Sequence, residues 1–184
     1  MTPTSRYSTG LRFGLLTGLL YVVLLFLRYN FFSSNPFSLG LCAIITYLII
    51  LTMYLFTGIA RRKELGGYAD FKEIFTSIFI AILITEAVYI IFNLVYLKFI
   101  DPSFWENFKA NTLIFMQKKG LTDEQIDQQM KNFKNVDEQT KPLGLVKGYG
   151  FSVIIDSIFG LIFAAILRKT KPVFEEIPED PLKK

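Results

Sequence analysis

Histidine is absent from the 184 residues of this chain, and cysteine occurs once, at Cys42. Without histidine the chain has no Ser-His-Asp triad, no Cys-His dyad, no histidine-ligated zinc site and no imidazole proton relay. Because Cys42 is alone and lies in an apolar run, we expect a buried, inert thiol and no disulfide within the chain. The composition therefore excludes most hydrolase chemistry, and we expect neither enzymatic activity nor a bound metal or cofactor.

Charged residues are also scarce over long stretches of the sequence. Hydrophobic residues make up 52% of the chain, which is too apolar for a soluble domain of this size. The 20 Lys and Arg and 16 Asp and Glu give a net charge of +4, but they fall mostly between apolar runs. This placement is typical of charges that flank membrane spans. We therefore expect the lipid bilayer, and not nucleic acid, as a partner.

Four segments are long and apolar enough to cross a bilayer, whose core of about 30 Å requires about 20 helical residues. They cover about 11–29, 36–60, 71–99 and 143–167. Asn35 and Pro36 predict a short turn before the second segment, with Pro36 in its first helical turn. The fold class is predicted as all-α integral membrane, a four-helix transmembrane bundle formed by a single domain of residues 1–172. A polar insert of about 101–141 separates the last two spans.

The polar insert carries its own helix signals. Ser103 and Glu106 fit the S-x-x-E capping box, and Thr122 and Gln125 repeat that pattern. Gly120 lies between them, where a glycine ending a helix is expected. The insert is therefore predicted to form two short helices joined at Gly120.

Basic clusters follow the second and fourth spans and predict the orientation of the bundle. Their members are Arg61, Arg62, Lys63, Lys72, Arg168, Lys169 and Lys171. Because such clusters mark the cytoplasmic side, both termini are expected inside and the insert outside. The cluster at 61–63 could instead bind anionic lipid. Residues 173–184 are acidic and poor in apolar side chains, so we expect a disordered cytoplasmic tail.

Two acids lie inside predicted spans, Glu86 in the third and Asp156 in the fourth. Counted at about 1.5 Å per residue from the cytoplasmic ends, they lie roughly 18 Å and roughly 17 Å deep. An ionisable group at this depth costs on the order of 3 kcal/mol, so it usually has a partner. Arg28 lies roughly 6 Å further out and has a side chain long enough to pair with either acid.

Spacing places further polar residues on the same helical faces as the two acids. The third span carries Glu86, Tyr89, Asn93 and Tyr96, and the fourth carries Tyr149, Ser152, Asp156 and Gly160. The two stripes can line an outward-facing vestibule. Alternatively, they form hydrogen bonds between helices, with one or both carboxyls protonated.

Glycines suggest where helices approach each other closely. Gly14 and Gly18 form a GxxxG pattern in the first span, Gly148 lies near the start of the fourth, and Gly160 lies within it. Small residues at this spacing serve either close packing inside a bundle or dimerisation. We expect the four glycines to be helix-packing positions.

Several stretches resemble a known family. These are Gly66 and Gly67 leading to Phe71 and Lys72, the sequence GLTDEQIDQQM from Gly120, and the glycine-containing fourth span that ends AAILRK. From about residue 7 to 171 the chain resembles the bacterial membrane family called domain of unknown function 4199. The resemblance implies a four-span bundle in the bacterial cytoplasmic (inner) membrane with a helical insert before the last span. It implies no catalytic residue.

Three functions remain open from the sequence. The first is a non-enzymatic subunit or scaffold of a membrane assembly, as a homo-oligomer or with another membrane protein. The second is a small oligomeric transporter that exchanges a proton or cation at Glu86 and Asp156. The third, an intramembrane enzyme with an aspartyl-protease-like dyad, is disfavoured because the acids are Glu and Asp and no glycine motif adjoins them.

Overall fold

The computed structural model describes residues 6–131 and 142–170. Within these ranges the chain is helical, in the order α1 (Arg6–Phe32), α2 (Pro36–Glu64), α3 (Phe71–Val95), α4 (Phe104–Lys118), α5 (Asp123–Lys131) and α6 (Pro142–Leu167). A π-helical turn, Tyr96–Ile100, continues α3. The predicted tail, 173–184, and the end of the insert, 132–141, lie outside the described residues.

Four of these helices are long and apolar enough to cross a membrane: Tyr7–Phe32, Pro36–Glu64, Phe71–Ile100 and Gly144–Leu167. They coincide with the predicted spans to within a few residues. Most of their large apolar side chains face outward, as lipid-facing surfaces do in a membrane, where backbone groups must be satisfied within each helix. The predicted fold class is confirmed, and the chain is a multi-pass integral membrane protein.

Local sequence sets the turns between the first three helices. The Asn35 side chain caps α2 by accepting a hydrogen bond from the backbone N–H of Phe37 at 3.0 Å, and Pro36 occupies the first helical turn, as predicted. After α2 the chain reverses through Gly66 and Gly67, whose φ angles are +77° and +90°. Only glycine adopts such angles readily, so this pair permits the tight return into α3.

The insert forms the two predicted helices, α4 and α5, joined at Gly120 with φ +74°. The Thr122 and Gln125 capping box is confirmed by reciprocal bonds of 3.4 Å and 3.1 Å between side chain and backbone. The capping box predicted at Ser103 is wrong, since its side chain makes no cap hydrogen bond. The Ser103 backbone is itself near-helical, with φ −86° and ψ −1°, whereas a capping side chain requires an extended backbone.

Helix α3 is central to the bundle and packs against α1, α2 and α6. Opposite ends of the molecule differ in character. At one end the linker before α3 meets the end of α6 through two 3.0 Å backbone hydrogen bonds between Ala69 and Lys169. At the other end Phe104 of α4 packs against Tyr29 and Tyr96. The spans therefore run alternately up and down, with the insert at the end opposite the basic clusters.

Glycines of α1 form its contact with α3. A Cβ atom at Gly14 would lie 2.9 Å from the Ile84 Cβ, and one at Gly18 would lie 3.1 Å from Val88. Gly10, which the sequence analysis did not select, is tighter still, with a Cβ position 2.6 Å from the Ser77 carbonyl oxygen. The absent side chains let the two helices approach closely.

Two glycines of α6 differ in their surroundings. A Cβ at Gly160 would lie 3.1 Å from the Ile78 Cγ2, so this residue packs against α3. A Cβ at Gly148 would meet nothing within 4 Å in the part of the chain that the structure describes. The packing expected at Gly148 is therefore not found, because it lies on an outward face of α6.

Candidate functional site

The two intramembrane acids meet where α3 and α6 pack together. Glu86 is 4% exposed and Asp156 is 2% exposed. Gly160 lies one turn beyond Asp156, and its Cβ position would lie 3.4 Å from the side chain of Ile82, one turn before Glu86. The glycine thus brings the helices close enough for the two carboxyl groups to lie together.

The carboxyls of Glu86 and Asp156 interact directly, and Ser152, one turn before Asp156, lies beside Glu86. Helix α2 contributes two phenols. The Tyr47 hydroxyl donates a 2.9 Å hydrogen bond to Asp156 Oδ1. The Tyr54 hydroxyl is buried near Asp156 but makes no hydrogen bond to any described residue. We call these five residues the acid cluster; it joins α2, α3 and α6.

The second oxygen of Asp156 determines what this cluster can do chemically. In the described part of the chain, Asp156 Oδ2 is buried and accepts no hydrogen bond while Glu86 is ionised. Two ionised carboxylates out of water repel each other, whereas a single proton between them forms a strong hydrogen bond. A protonated Glu86 can donate to Asp156 Oδ2 and remove both the repulsion and the unsatisfied acceptor. The pair can therefore share one proton.

Arg28 belongs to a second group of residues, toward the insert. Its Nη2 donates to the Tyr29 hydroxyl at 3.3 Å, and its guanidinium lies 5.0 Å from the centre of the Tyr29 ring. The Tyr29 hydroxyl donates to Asn93 Oδ1, and Asn93 Nδ2 donates to the Tyr89 carbonyl oxygen at 2.8 Å. Side chains of α1 and α3 are thereby joined near the end of the bundle.

The pairing of Arg28 with Glu86 or Asp156, feasible from depth alone, is not found among the described residues. Tyr21 explains the separation. Its ring stacks with centroids 4.9 Å apart on Tyr89, which lies between Glu86 and Asn93 on α3, and its hydroxyl interacts electrostatically with Arg28 and with both acids. The aromatic pair thus lies between the two groups. The predicted polar cluster is in fact two clusters, one containing Glu86, Asp156 and Ser152 and the other containing Arg28 and Asn93, with Tyr89 between them.

Sequence reasoning missed Tyr47, Tyr54 and Tyr21. Their phenols lie in runs that hydropathy treats as uniformly apolar, so no charge pattern singles them out. A buried tyrosine hydroxyl usually has a polar partner. Three tyrosines in the first two spans therefore could have indicated that these helices contact polar groups of their neighbours.

A further polar network, also missed, lies at the basic end of the bundle. Arg61 is 4% exposed and pairs with Glu73 at 2.8 Å and with Glu64 at 3.4 Å. Glu64 in turn accepts a hydrogen bond from the Thr9 hydroxyl. One arginine of the basic cluster after the second span therefore links the ends of α1, α2 and α3.

Neither the acid cluster nor the basic end resembles a metal centre. Within residues 6–131 and 142–170 no group of three or more His, Cys, Asp or Glu side chains could hold a metal ion. Cys42 is free and partly exposed, so the expected full burial of this thiol is not found.

An open cavity of about 370 Å³ lies on the insert. It is lined by Leu121, Gln125, Gln128 and Gln129. Three of these four side chains end in amides, which both donate and accept hydrogen bonds. Among the described residues, no ionisable side chain lines the cavity.

Comparison with known proteins gives a family but no activity. Residues 12–169 match the family described as Protein of unknown function (DUF4199). No curated protein and no solved structure matches the chain. Because the match covers well over half of the sequence, the chain belongs to the DUF4199 family.

Proposed function

We propose that the protein is a non-enzymatic subunit or scaffold of an assembly in the bacterial cytoplasmic membrane. Polar side chains inside the spans form hydrogen bonds between helices of the bundle. Tyr47 binds Asp156, Tyr29 binds Asn93, and the Thr85 hydroxyl donates to the Gly14 carbonyl oxygen at 3.3 Å. These bonds join α1 to α3 and α2 to α6, as expected of interhelical contacts that stabilise a bundle.

The insert is the observation that carries this proposal. Phe104 is 2% exposed and fixes α4 to the ends of α1 and α3, whereas α5 presents Gln125, Gln128 and Gln129 around an open cavity. A helix pair that is anchored to the bundle and presents an amide-lined cavity suits recognition of another protein. We place this surface outside the cell and both termini inside, because Arg62, Lys63, Lys72 and Arg168 lie at the opposite end.

Purification in mild detergent at native expression, with mass spectrometry of the co-purifying proteins, tests the proposal. We expect a stoichiometric partner that survives washing. A combined Gln128→Ala and Gln129→Ala variant, which leaves the Gln125 cap of α5 in place, should retain at least about tenfold less of the partner. The matched control is Asp127→Ala, an exposed position on the same helix that does not line the cavity. Recovery of the chain alone, or of a homo-oligomer that the double variant does not disturb, contradicts a role for this surface.

A small oligomeric transporter coupled to protons or cations is a second candidate, favoured by one observation. Asp156 Oδ2 and the Tyr54 hydroxyl are both buried and lack hydrogen bonds in the structure as described. Intramembrane carboxyls of this kind commonly mark ion pathways. A chain with four spans would require at least a dimer to enclose such a pathway.

Proton flux into liposomes distinguishes this candidate. Transport at the acid cluster predicts a flux that Glu86→Gln or Asp156→Asn abolishes, with Glu106→Gln in the insert as the control acid. The absence of flux in the unmodified protein rejects it. If the flux persists in both amide variants, it does not pass through these carboxyls.

A further inference from the structure

Two nitrogen donors near the insert end of the bundle lack partners. Arg28 Nε and the Trp105 indole Nε1 are buried, and neither makes a hydrogen bond to any residue that the structure describes. A guanidinium carries five N–H donors, and the bond to the Tyr29 hydroxyl uses one of them at a long 3.3 Å. Most of the hydrogen-bonding capacity of Arg28 is therefore unused.

The positive charge of Arg28 is likewise uncompensated among the described residues. The two intramembrane acids do not pair with Arg28, since Glu86 and Asp156 interact with each other. Asp101, at the end of the π-helical turn, interacts with Tyr96, and no ion pair joins it to Arg28. The Tyr29 ring below the guanidinium supplies only a cation–π contact. An anion from outside the chain would complete this site.

The position of Arg28 indicates where that anion comes from. Arg28 lies four residues before the end of α1, about 6 Å along the helix axis, which is within reach of the headgroup layer for an arginine side chain. Aromatic rings surround this level and link Tyr29 to Phe104 at 4.8 Å and Phe104 to Trp105 at 5.2 Å. Such aromatic groups are typical of the membrane–water interface.

We propose that Arg28 and Trp105 bind a phosphate group, supplied by a phospholipid headgroup at the junction of α1 and α4. The planar guanidinium can bind two phosphate oxygens at once, and the indole N–H can donate to a third. Phe31 and Phe32 at the end of α1 are exposed and offer an apolar surface to the acyl chains. The bound lipid holds the insert against the bundle through the two helices that it joins.

Thermal unfolding of the full chain in detergent, with three additives, tests this site. Dioctanoyl phosphatidylglycerol should raise the Tm, whereas dioctanoylglycerol, which has the same chains but no phosphate, should not. Inorganic phosphate tests the other source of the same chemistry. If it raises the Tm as much as the phospholipid does at equal concentration, the site binds free phosphate and the lipid assignment is overturned.

Substitutions test whether Arg28 and Trp105 are the groups that bind the phospholipid. Arg28→Gln should weaken phosphatidylglycerol binding by at least about tenfold, as expected for loss of a charge-assisted contact. Lys98→Gln, an exposed cation at the same end of the bundle, is the matched control and should leave binding unchanged. If Arg28→Gln does not fold, Arg28→Lys and Trp105→Phe carry the test, and each should weaken binding by a few-fold. Equal binding by these variants and the unmodified chain overturns the proposal.

Discussion

Single polar atoms determine how the spans of this protein fit together. In a bilayer core no water is available to bind a buried donor or acceptor, so a side-chain polar group there needs a partner within the protein, often on a neighbouring helix. Asp156 illustrates this, because its Oδ1 accepts from Tyr47 of α2 and its carboxyl interacts with that of Glu86 of α3. The side chain of one aspartate thus connects three helices.

Tyr47→Phe removes the 2.9 Å hydrogen bond to Asp156 Oδ1 and leaves the ring in place. We expect a loss of about 1 to 2 kcal/mol in the free energy of unfolding, because a buried acceptor loses its donor. Unfolding by titration with a denaturing detergent measures this difference. The control is Tyr68→Phe, which keeps the ring that faces Lys169 and should change stability by less than about 0.5 kcal/mol. Equal effects of the two substitutions would contradict a structural role for the Tyr47 hydroxyl.

Arg61 offers a second prediction at the residue scale. Arg61→Ala deletes a buried cation that contacts Glu73 and Glu64, so the ends of α2 and α3 lose their ion pairs. Because both acids are partly exposed, we expect a moderate loss of about 1 to 3 kcal/mol. Lys63→Ala removes an exposed charge from the same cluster and should have little effect in the same unfolding assay. An equal loss from both substitutions would show that the cluster acts only through its total charge.

The sequence predicts which residues are unusual at this scale better than it predicts their partners. Glu86 and Asp156 stand out because they are charged residues in apolar runs, and depth counting places them at the same level. Arg28 is misjudged because depth along a helix says nothing about which face a side chain occupies. Arg61 is overlooked since a basic cluster after a span already has an explanation, and its partner Glu73 lies beyond a turn.

At the scale of elements, the contact between α1 and α3 depends on the positions of glycines, which have no side chain. Gly10, Gly14 and Gly18 recur every four residues and form one smooth face of α1 against α3. Backbone carbonyls become accessible on such a face, and the Thr85 hydroxyl of α3 donates to the Gly14 carbonyl oxygen. Close packing and a polar bond between helices therefore arise at the same position.

Gly14→Leu should disrupt the contact between α1 and α3, because even a Cβ atom would lie 2.9 Å from Ile84 and 3.0 Å from the Ala81 backbone. We expect a loss of about 1 to 3 kcal/mol from overpacking. Gly148→Leu is the matched control on α6, where the Cβ meets no neighbour within 4 Å. In the bundle alone it should be neutral. If Gly148→Leu instead disrupts assembly without unfolding the chain, this outward face contacts a partner.

Span positions could be predicted from the sequence because their length and apolar character are imposed by bilayer thickness. The Thr122 cap and the Gly120 turn were also predictable, since both are local. The features that the sequence did not predict depend on which helix faces pack against each other. Helix faces are uniformly apolar here, so periodicity does not reveal that Gly160 faces α3 while Gly148 faces outward.

At the scale of the whole molecule, the two ends of the bundle differ in chemistry. One end contains Arg62, Lys63, Arg168 and Lys169. The other contains the insert and the packed rings of Tyr29, Tyr96 and Phe104. Positive charge is retained on the cytoplasmic side of a membrane, which gives the orientation that we propose.

Labelling of single cysteines tests that orientation. In a Cys42→Ser background we expect Gln128→Cys to react with a membrane-impermeant maleimide in intact spheroplasts. Lys63→Cys should react only after the membrane is permeabilised. Both positions are exposed at their ends of the molecule, so access is decided by the bilayer. The reverse pattern would place the insert in the cytoplasm and contradict the proposed exterior surface.

The most direct test of the account concerns the bond between α3 and α6. In the unfolding assay Glu86→Gln should keep stability within about 1 kcal/mol, because an amide can donate to Asp156 Oδ2 as a protonated acid does. Glu86→Leu offers no donor and should lose about 1 to 3 kcal/mol. Equal destabilisation by Gln and Leu would contradict the account, since it would mean that the bundle requires an ionised Glu86.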